Sequence, residues 1–211
     1  AAVNSTLPAT VAGSAVPLYS FLCQGDIDWN DGLKRCIEVI APEGSVVNAT
    51  YPAPVSISTV GFRWLVTVAA TQAVANMFNA TDKFRDRACP SWNSSSNCNN
   101  IFADSPDGRR TGGLLSDHRG SGAAGRSFGD GFHHAGTVTS YASSLGNIEG
   151  AEWKFPIRYL YRRRMTDSAG AGRFRGGATS EVALTPHGVG SFDLKLTNTA
   201  GTEQTNAHGI D

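Results

Sequence analysis

Glycine constrains this chain more than any other residue. Seventeen of its 24 glycines fall between Gly108 and Gly190. Glycine weakens the interior of helices and strands, and it permits turns and close backbone approaches that a Cβ forbids. The second half is therefore expected to be loop-rich and mostly β, with short strands at Thr137–Tyr141, Phe155–Arg163, Thr179–Leu184 and Gly190–Leu196. The first half has another texture. "LPATVAGSAVPLYSFLC" (residues 7–23) reads as a helix started or interrupted near Pro17. "LKRCIEVIAPEGSVVN" reads as a strand, a Pro-Glu-Gly-Ser turn and a second short strand. Between Ser58 and Phe78, Val60, Trp64, Val68, Thr71 or Ala75, and Phe78 recur at helical spacing, with Thr59 placed to cap the start of a core-packing helix. The expected fold class is α+β (mixed): a helix/strand segment over 1–90, a polar loop over 91–113, and a glycine-rich β segment over 114–211. The chain opens without Met and stops without a closing element, so one continuous part of a larger subunit is expected.

Composition removes several function classes. Lys plus Arg equal Asp plus Glu, and the net charge is zero. That argues against nucleic acid as the main partner, since binding phosphates non-specifically needs a basic excess. No apolar run approaches the roughly 20 residues that cross a bilayer. The longest candidate, Val60–Met77, carries Arg63, Thr67, Thr71, Gln72 and Asn76. Cys23, Cys36, Cys89 and Cys98 form no C-x-x-C pair. This speaks against a zinc ribbon and for a reduced, cytoplasmic chain with no disulfide framework.

Three stretches carry versatile chemistry. "GDGFHH" (Gly129–His134) holds Asp130, His133 and His134, the candidate catalytic residues. Histidine titrates near neutral pH and ligates metals. Adjacent histidines on a regular strand face opposite sides, so these two converge only from a loop, which the flanking glycines favour. "LSDHRGSG" supplies Asp117, His118 and Arg119. In "KFPIRYLYRRR", Phe155, Ile157, Tyr159 and Tyr161 alternate with Arg158, Leu160 and Arg162, and Pro156 places the segment near a sheet edge or strand start. The arginines at 162, 163 and 164 are followed by Arg173 and Arg175. Guanidinium groups hold carboxylates and phosphates in bidentate geometry, and they also serve salt bridges and subunit contacts.

The last two arginines lie in "DSAGAGRFRGG", residues 167–177, with four glycines. The stretch lacks the G-K-[ST] ending of a Walker loop, and Arg175 stands where G-x-G-x-x-G needs its third glycine. "ATSEVALTP" follows and reads as a strand, whereas a phosphate cradle wants a helix there. Tight turns between two strands are the better account.

These residues resemble a known family. "NIEGAEWKFPIRYLYRRRMTDSAGAGRFRGG" is similar to the C-terminal signature of the hydantoinase B/oxoprolinase family, where an acidic residue precedes "fP", a strand and an arginine follow, and a "DSgGaGkyRGG"-like turn comes next. Upstream, "DIDWNDGLKRCIEVIAPEGSVVNATYPAPVS" resembles the family's "PeGs.vnp..PaPv" segment. The likeness spans about 16 to 190; Ala169 replaces the first glycine of the usual "SGG".

The resemblance implies part of the B-type subunit of an ATP-dependent, multi-subunit enzyme. Members open cyclic amides (hydantoinases, 5-oxoprolinases) or add bicarbonate to a ketone (acetone and acetophenone carboxylases). The aromatic-and-arginine texture of "RYLYRRRMTD" leans toward ketone carboxylation, with amide hydrolysis as the alternative and a non-catalytic scaffold docking the kinase-like subunit as a third reading. Implied partners are a kinase-like hydantoinase A-type subunit carrying ATP and Mg, the remainder of the B-type subunit, and a possible small zinc-binding subunit. A divalent metal, Zn or Mn, is implied outside this segment. On this reading Asp130, His133 and His134 form the catalytic set, with His133 or His134 assisting proton transfer. Arg173, Arg175, Gly176 and Gly177 form the substrate-binding set, with Arg173 or Arg175 facing a phosphorylated intermediate.

Overall fold

The computed structural model describes residues 4–22, 27–28, 30–55, 63–92, 99–104, 107–115, 122–136 and 145–195. The fold is α+β, with helices in the first half and mostly strands in the second. The described residues fall into two compact units. One takes those of Ala1–Trp92 and Gly125–Gly129, the other those of Asn93–Ala124 and Asp130–Glu203. Among them no helix is long and apolar enough to cross a membrane.

In the first unit, α1 (Leu7–Leu22) packs on α2 (Arg63–Asn79). Pro17 stands inside α1, fully buried. A proline lacks the N–H that would bond four residues back, so the Gly13 carbonyl is released from the helix ladder. The buried Thr67 hydroxyl of α2 donates to that carbonyl at 3.1 Å. The buried face of α2 is Trp64, Thr67, Thr71 and Ala75. Trp64, Thr71 and Ala75 are buried as expected, Val68 and Phe78 are only half-buried, Thr67 takes a place the spacing did not assign, and Val60 lies outside the described residues. Thr71 donates back to the Thr67 carbonyl at 2.7 Å. The cap expected at Thr59 lies outside the described residues.

The strand–turn–strand expected in "LKRCIEVIAPEGSVVN" does not form. Asn30 accepts from the Gly32 N–H and caps a 3-10 helix over Asp31–Cys36, burying Leu33. The chain then runs extended to a turn closed by a single Ser45–Asn48 bridge. Residues 37–41 keep a strand-like alternation of exposure, yet no ladder partner lies beside them among the described residues.

In the second unit, β1 (Asn99–Asp104), β2 (Arg110–Leu115) and β5 (Ser191–Lys195) form an antiparallel sheet in the order β2-β1-β5. The polar loop expected over 91–113 is therefore corrected: it contains β1 and most of β2. Two features disguised it. Only Ile101 and Ala103 of β1 are buried apolar residues, and β2 carries Gly112 and Gly113. Those glycines make room for rings. A Cβ at Gly112 would stand 2.7 Å from the Phe102 ring, and one at Gly113 would stand 2.8 Å from Phe155.

A short helix α3 (Ile148–Lys154), capped by Asn147 on the Gly150 N–H at 2.7 Å, leads into β3 (Ile157–Arg164). β3 pairs antiparallel with β4 (Ser180–Pro186). Ile101, Leu115, Phe155 and Ile157 form the core cluster, with Tyr159, Leu184 and Phe192 against it. The alternation expected along β3 holds for Phe155, Ile157 and Tyr159 and then breaks. Tyr159 pairs with Leu184 and Tyr161 with Ala183, so Leu160 is an extra residue in a bulge. An extra residue reverses which side chains face which side; Tyr161 becomes exposed and Arg162 half-buried. The strand expected at Thr137–Tyr141 lies outside the described residues.

Candidate functional site

The stretch 165–179 joins β3 to β4, as its spacing suggested. Its root is tied by Met165 N–H to the Thr179 carbonyl at 2.9 Å and by Ser168, whose hydroxyl donates to the Met165 carbonyl and accepts from the Thr179 N–H. Asp167 enters with φ +54°, a left-handed conformation that aspartate tolerates better than most residues. Gly170 and Gly172 at the tip do not have positive φ, and a Cβ at Gly170 would meet nothing within 4 Å. Gly170 is thus not forced by geometry, whereas a Cβ at Gly172 would stand 3.1 Å from the Phe174 carbonyl oxygen.

At the root the glycines are forced. Residues 122–124, 130–134 and 175–178 run against one another as three ribbons. Ala123 N–H donates to the Phe132 carbonyl at 2.9 Å, and Gly177 N–H donates to the Ala123 carbonyl at 2.8 Å. A Cβ at Gly122 would fall on the Gly177 carbonyl, one at Gly177 on the Phe132 carbonyl, and one at Gly131 on the Ala123 carbonyl, each closer than the 3.0 Å that real Cβ contacts observe. No side chain can be inserted at this crossing without displacing backbone.

The sequence-proposed residues assemble around it. Two successive steps hold residues 130–134 to 175–178 in the same way. At the first, Gly131 N–H donates to the Arg175 carbonyl at 2.7 Å while Asp130 Oδ1 accepts the Arg175 N–H at 2.8 Å. At the second, three residues on, His134 N–H donates to the Ala178 carbonyl at 3.2 Å while His133 Nδ1 accepts the Ala178 N–H at 2.8 Å. With Nδ1 used as an acceptor, the neutral ring carries its proton on Nε2. His134 adopts φ +52° and is half-buried. Asp130, His133, Arg173 and Arg175 are exposed, and Arg173 stacks 5.5 Å from the centre of the Phe174 ring.

The arginine triplet is divided by its partners. Arg162 donates to the Gly146 carbonyl at 2.7 Å. Arg163 Nε donates to Glu181 at 2.8 Å, and the Tyr161 hydroxyl donates to the other oxygen of the same carboxylate at 3.0 Å. The bond from Arg163 first, then that from Tyr161, hold Glu181 below the usual carboxylate range. Asp117, His118 and Arg119 lie outside the described residues, as do Cys23 and Cys98. Cys36 and Cys89 are free thiols, and burial pushes the Cys89 thiol up, away from the nucleophilic thiolate.

Sequence reasoning missed Glu152. It accepts the Tyr159 N–H at 2.6 Å beside the bulge, a structural reason for an acidic residue ahead of the Phe-Pro pair. It also missed that Gly122 and Gly131 belong with Gly177. All three were visible as glycines, but no short-range pattern links positions so far apart.

The family model described as hydantoinase B/oxoprolinase matches residues 1–210. The chain belongs to this family. Among curated relatives it is 31% identical over 194 residues to the caprolactamase subunit beta of Pseudomonas jessenii, covering 87% of this chain and 31% of that protein. A solved structure of acetone carboxylase, in its nucleotide-free form, superposes with a TM-score of 0.75 at 19% identity, over 91% of this chain and 25% of its own. That likeness shows a shared fold. The chain thus spans about a third of the length of the curated relative it matches. The family resemblance carried by the fP and "DSAGAGRFRGG" blocks is borne out.

Proposed function

We propose that this chain is the glycine-rich portion of the B-type subunit of an ATP-dependent enzyme acting at a carbonyl carbon, working with a kinase-like partner subunit. What supports a role near substrate is the crossing itself: a turn carrying exposed Arg173 and Arg175 is anchored at its root by backbone contacts that admit no side chain. A rigid root fixes where a cation stands. A fixed cation stabilises charge developing on oxygen far better than a mobile one. Arg175 is the bidentate partner for an anionic or phosphorylated oxygen, and Arg173 adds positive charge beside it.

Carboxylation of a ketone with bicarbonate is the first reading, resting on the texture of residues 158–167. Ring opening of a cyclic amide is the second, favoured by the caprolactamase relative. One assay separates them. The full-length subunit, assembled with its kinase-like partner, is given ATP with labelled bicarbonate and acetone or acetophenone, and separately with caprolactam or 5-oxoproline. ATP-dependent label fixation supports the first reading and ATP-dependent release of the ring-opened acid the second; neither product overturns the proposal. In the active assembly, Arg175→Lys should lower kcat/KM at least about tenfold, because an ammonium cannot reproduce a bidentate fork. Unchanged turnover would leave Arg175 a scaffold or subunit-contact residue.

A further inference from the structure

The paired steps at Asp130–Gly131 and His133–His134 suggest a role that differs from proton transfer. A strand beside 175–178 would normally offer main-chain carbonyls to the Arg175 and Ala178 N–H groups. Here a carboxylate oxygen and an imidazole nitrogen stand in for those carbonyls, at 2.8 Å in both cases. The main-chain N–H of the next residue then completes each step, at 2.7 Å for Gly131 and 3.2 Å for His134. The steps sit where the backbones are closest: Gly131 lies against the Ala123 carbonyl and Gly177 against the Phe132 carbonyl, too close for any Cβ.

We propose that Asp130 and His133 are positioning residues: their acceptor atoms, and not their protons, hold the Arg175–Ala178 ribbon and through it the arginine turn. This deepens the functional reading above, which supplies the reason for holding Arg175. The pinning itself stands on geometry alone.

Asparagine makes the test sharp. Its Oδ1 occupies the same δ position as His Nδ1 and as Asp Oδ1, accepts a backbone N–H, and cannot titrate. The full-length subunit is prepared as wild type, Asp130→Ala, Asp130→Asn, His133→Ala and His133→Asn. Hydrogen exchange is followed by mass spectrometry on peptides spanning 174–180, with no substrate present. The alanine variants should exchange these amides about tenfold faster, as loss of one hydrogen-bond acceptor implies. The asparagine variants should stay within about threefold of wild type. Asparagine variants that exchange like the alanine ones, or alanine variants that exchange like wild type, would overturn the proposal. Should the alanine variants not fold, the comparison of asparagine with wild type decides by the same threefold margin.

A second readout separates positioning from chemistry. In an assembly with measurable turnover, His133→Asn and Asp130→Asn should keep kcat and its pH profile, whereas a general acid or base loses about a hundredfold or more on such a change. Wild-type exchange with collapsed kcat would assign these residues to proton transfer instead. The exchange measurement needs no activity, so its outcome is independent of whether either substrate class is correct.

Discussion

The two units solve one problem, close approach of backbones, by opposite means. Between α1 and α2 the approach is closed by a side-chain hydroxyl: Pro17 frees the Gly13 carbonyl and Thr67 takes it. At the ribbon crossing the approach is reached by removing side chains altogether, at Gly122, Gly131 and Gly177. The difference lies in what a mutation meets. A changed side chain in the helix pair leaves an unmade bond or a small cavity, which neighbours partly absorb. A side chain added at the crossing meets carbonyl oxygen, which has nowhere to go.

The comparison predicts a ranking. Gly122→Ala and Gly131→Ala should each cost more than about 4 kcal/mol, because relief requires moving main chain. In thermal unfolding of the full-length subunit they should yield no cooperative transition from the second unit, or one lowered by more than about 10 °C. A melting temperature within about 2 °C of wild type would mean the crossing is looser than described. Thr67→Val comes next. It keeps the volume but orphans the buried Gly13 carbonyl, at a cost of about 1–3 kcal/mol by chemical denaturation. Thr71→Val should cost less, since the Thr67 carbonyl also sits in the α2 ladder; equal effects from the two would remove the proline from the explanation.

The smallest effect belongs to the exposed Tyr161–Glu181–Arg163 group. Glu181 has its folded-state pKa lowered, so its ion contributes stability above its unfolded pKa, and that contribution is lost as pH falls through the folded value. Glu181→Gln should therefore shift the urea midpoint slightly at pH 7, with the shift fading below about pH 4. A shift that persists at low pH would point to lost packing and not to lost charge.

What could be read from the sequence follows the same division. α2 was legible because helical periodicity survives with threonines on the buried face. β3, β4 and β5 were legible because apolar alternation marks them. β1 and β2 were not, since paired glycines and asparagines look like loop when the rings that cover the glycines come from elsewhere, as Phe155 does over Gly113. The bulge at Leu160 was hidden because it changes the phase of alternation without changing residue type. Around the site, Asp130, His133 and Arg175 could be singled out by chemistry, and the turn at 167–177 by its glycines. That Asp130 and His133 accept backbone N–H groups some 45 residues away was not legible, because nothing local fixes such a register.

Glycines at the root of the arginine turn are interlocked while Gly170 near its tip is free, and two substitutions within the turn distinguish them. Gly170→Ala and Gly177→Ala change the same residue type, in the same way, within one turn. The melting temperatures of the two full-length variants should diverge. Gly170→Ala should match wild type or exceed it slightly, since a Cβ there meets nothing and the unfolded chain loses entropy. Gly177→Ala should abolish the transition or lower it by more than about 10 °C. Equal melting temperatures for the two variants would contradict the account.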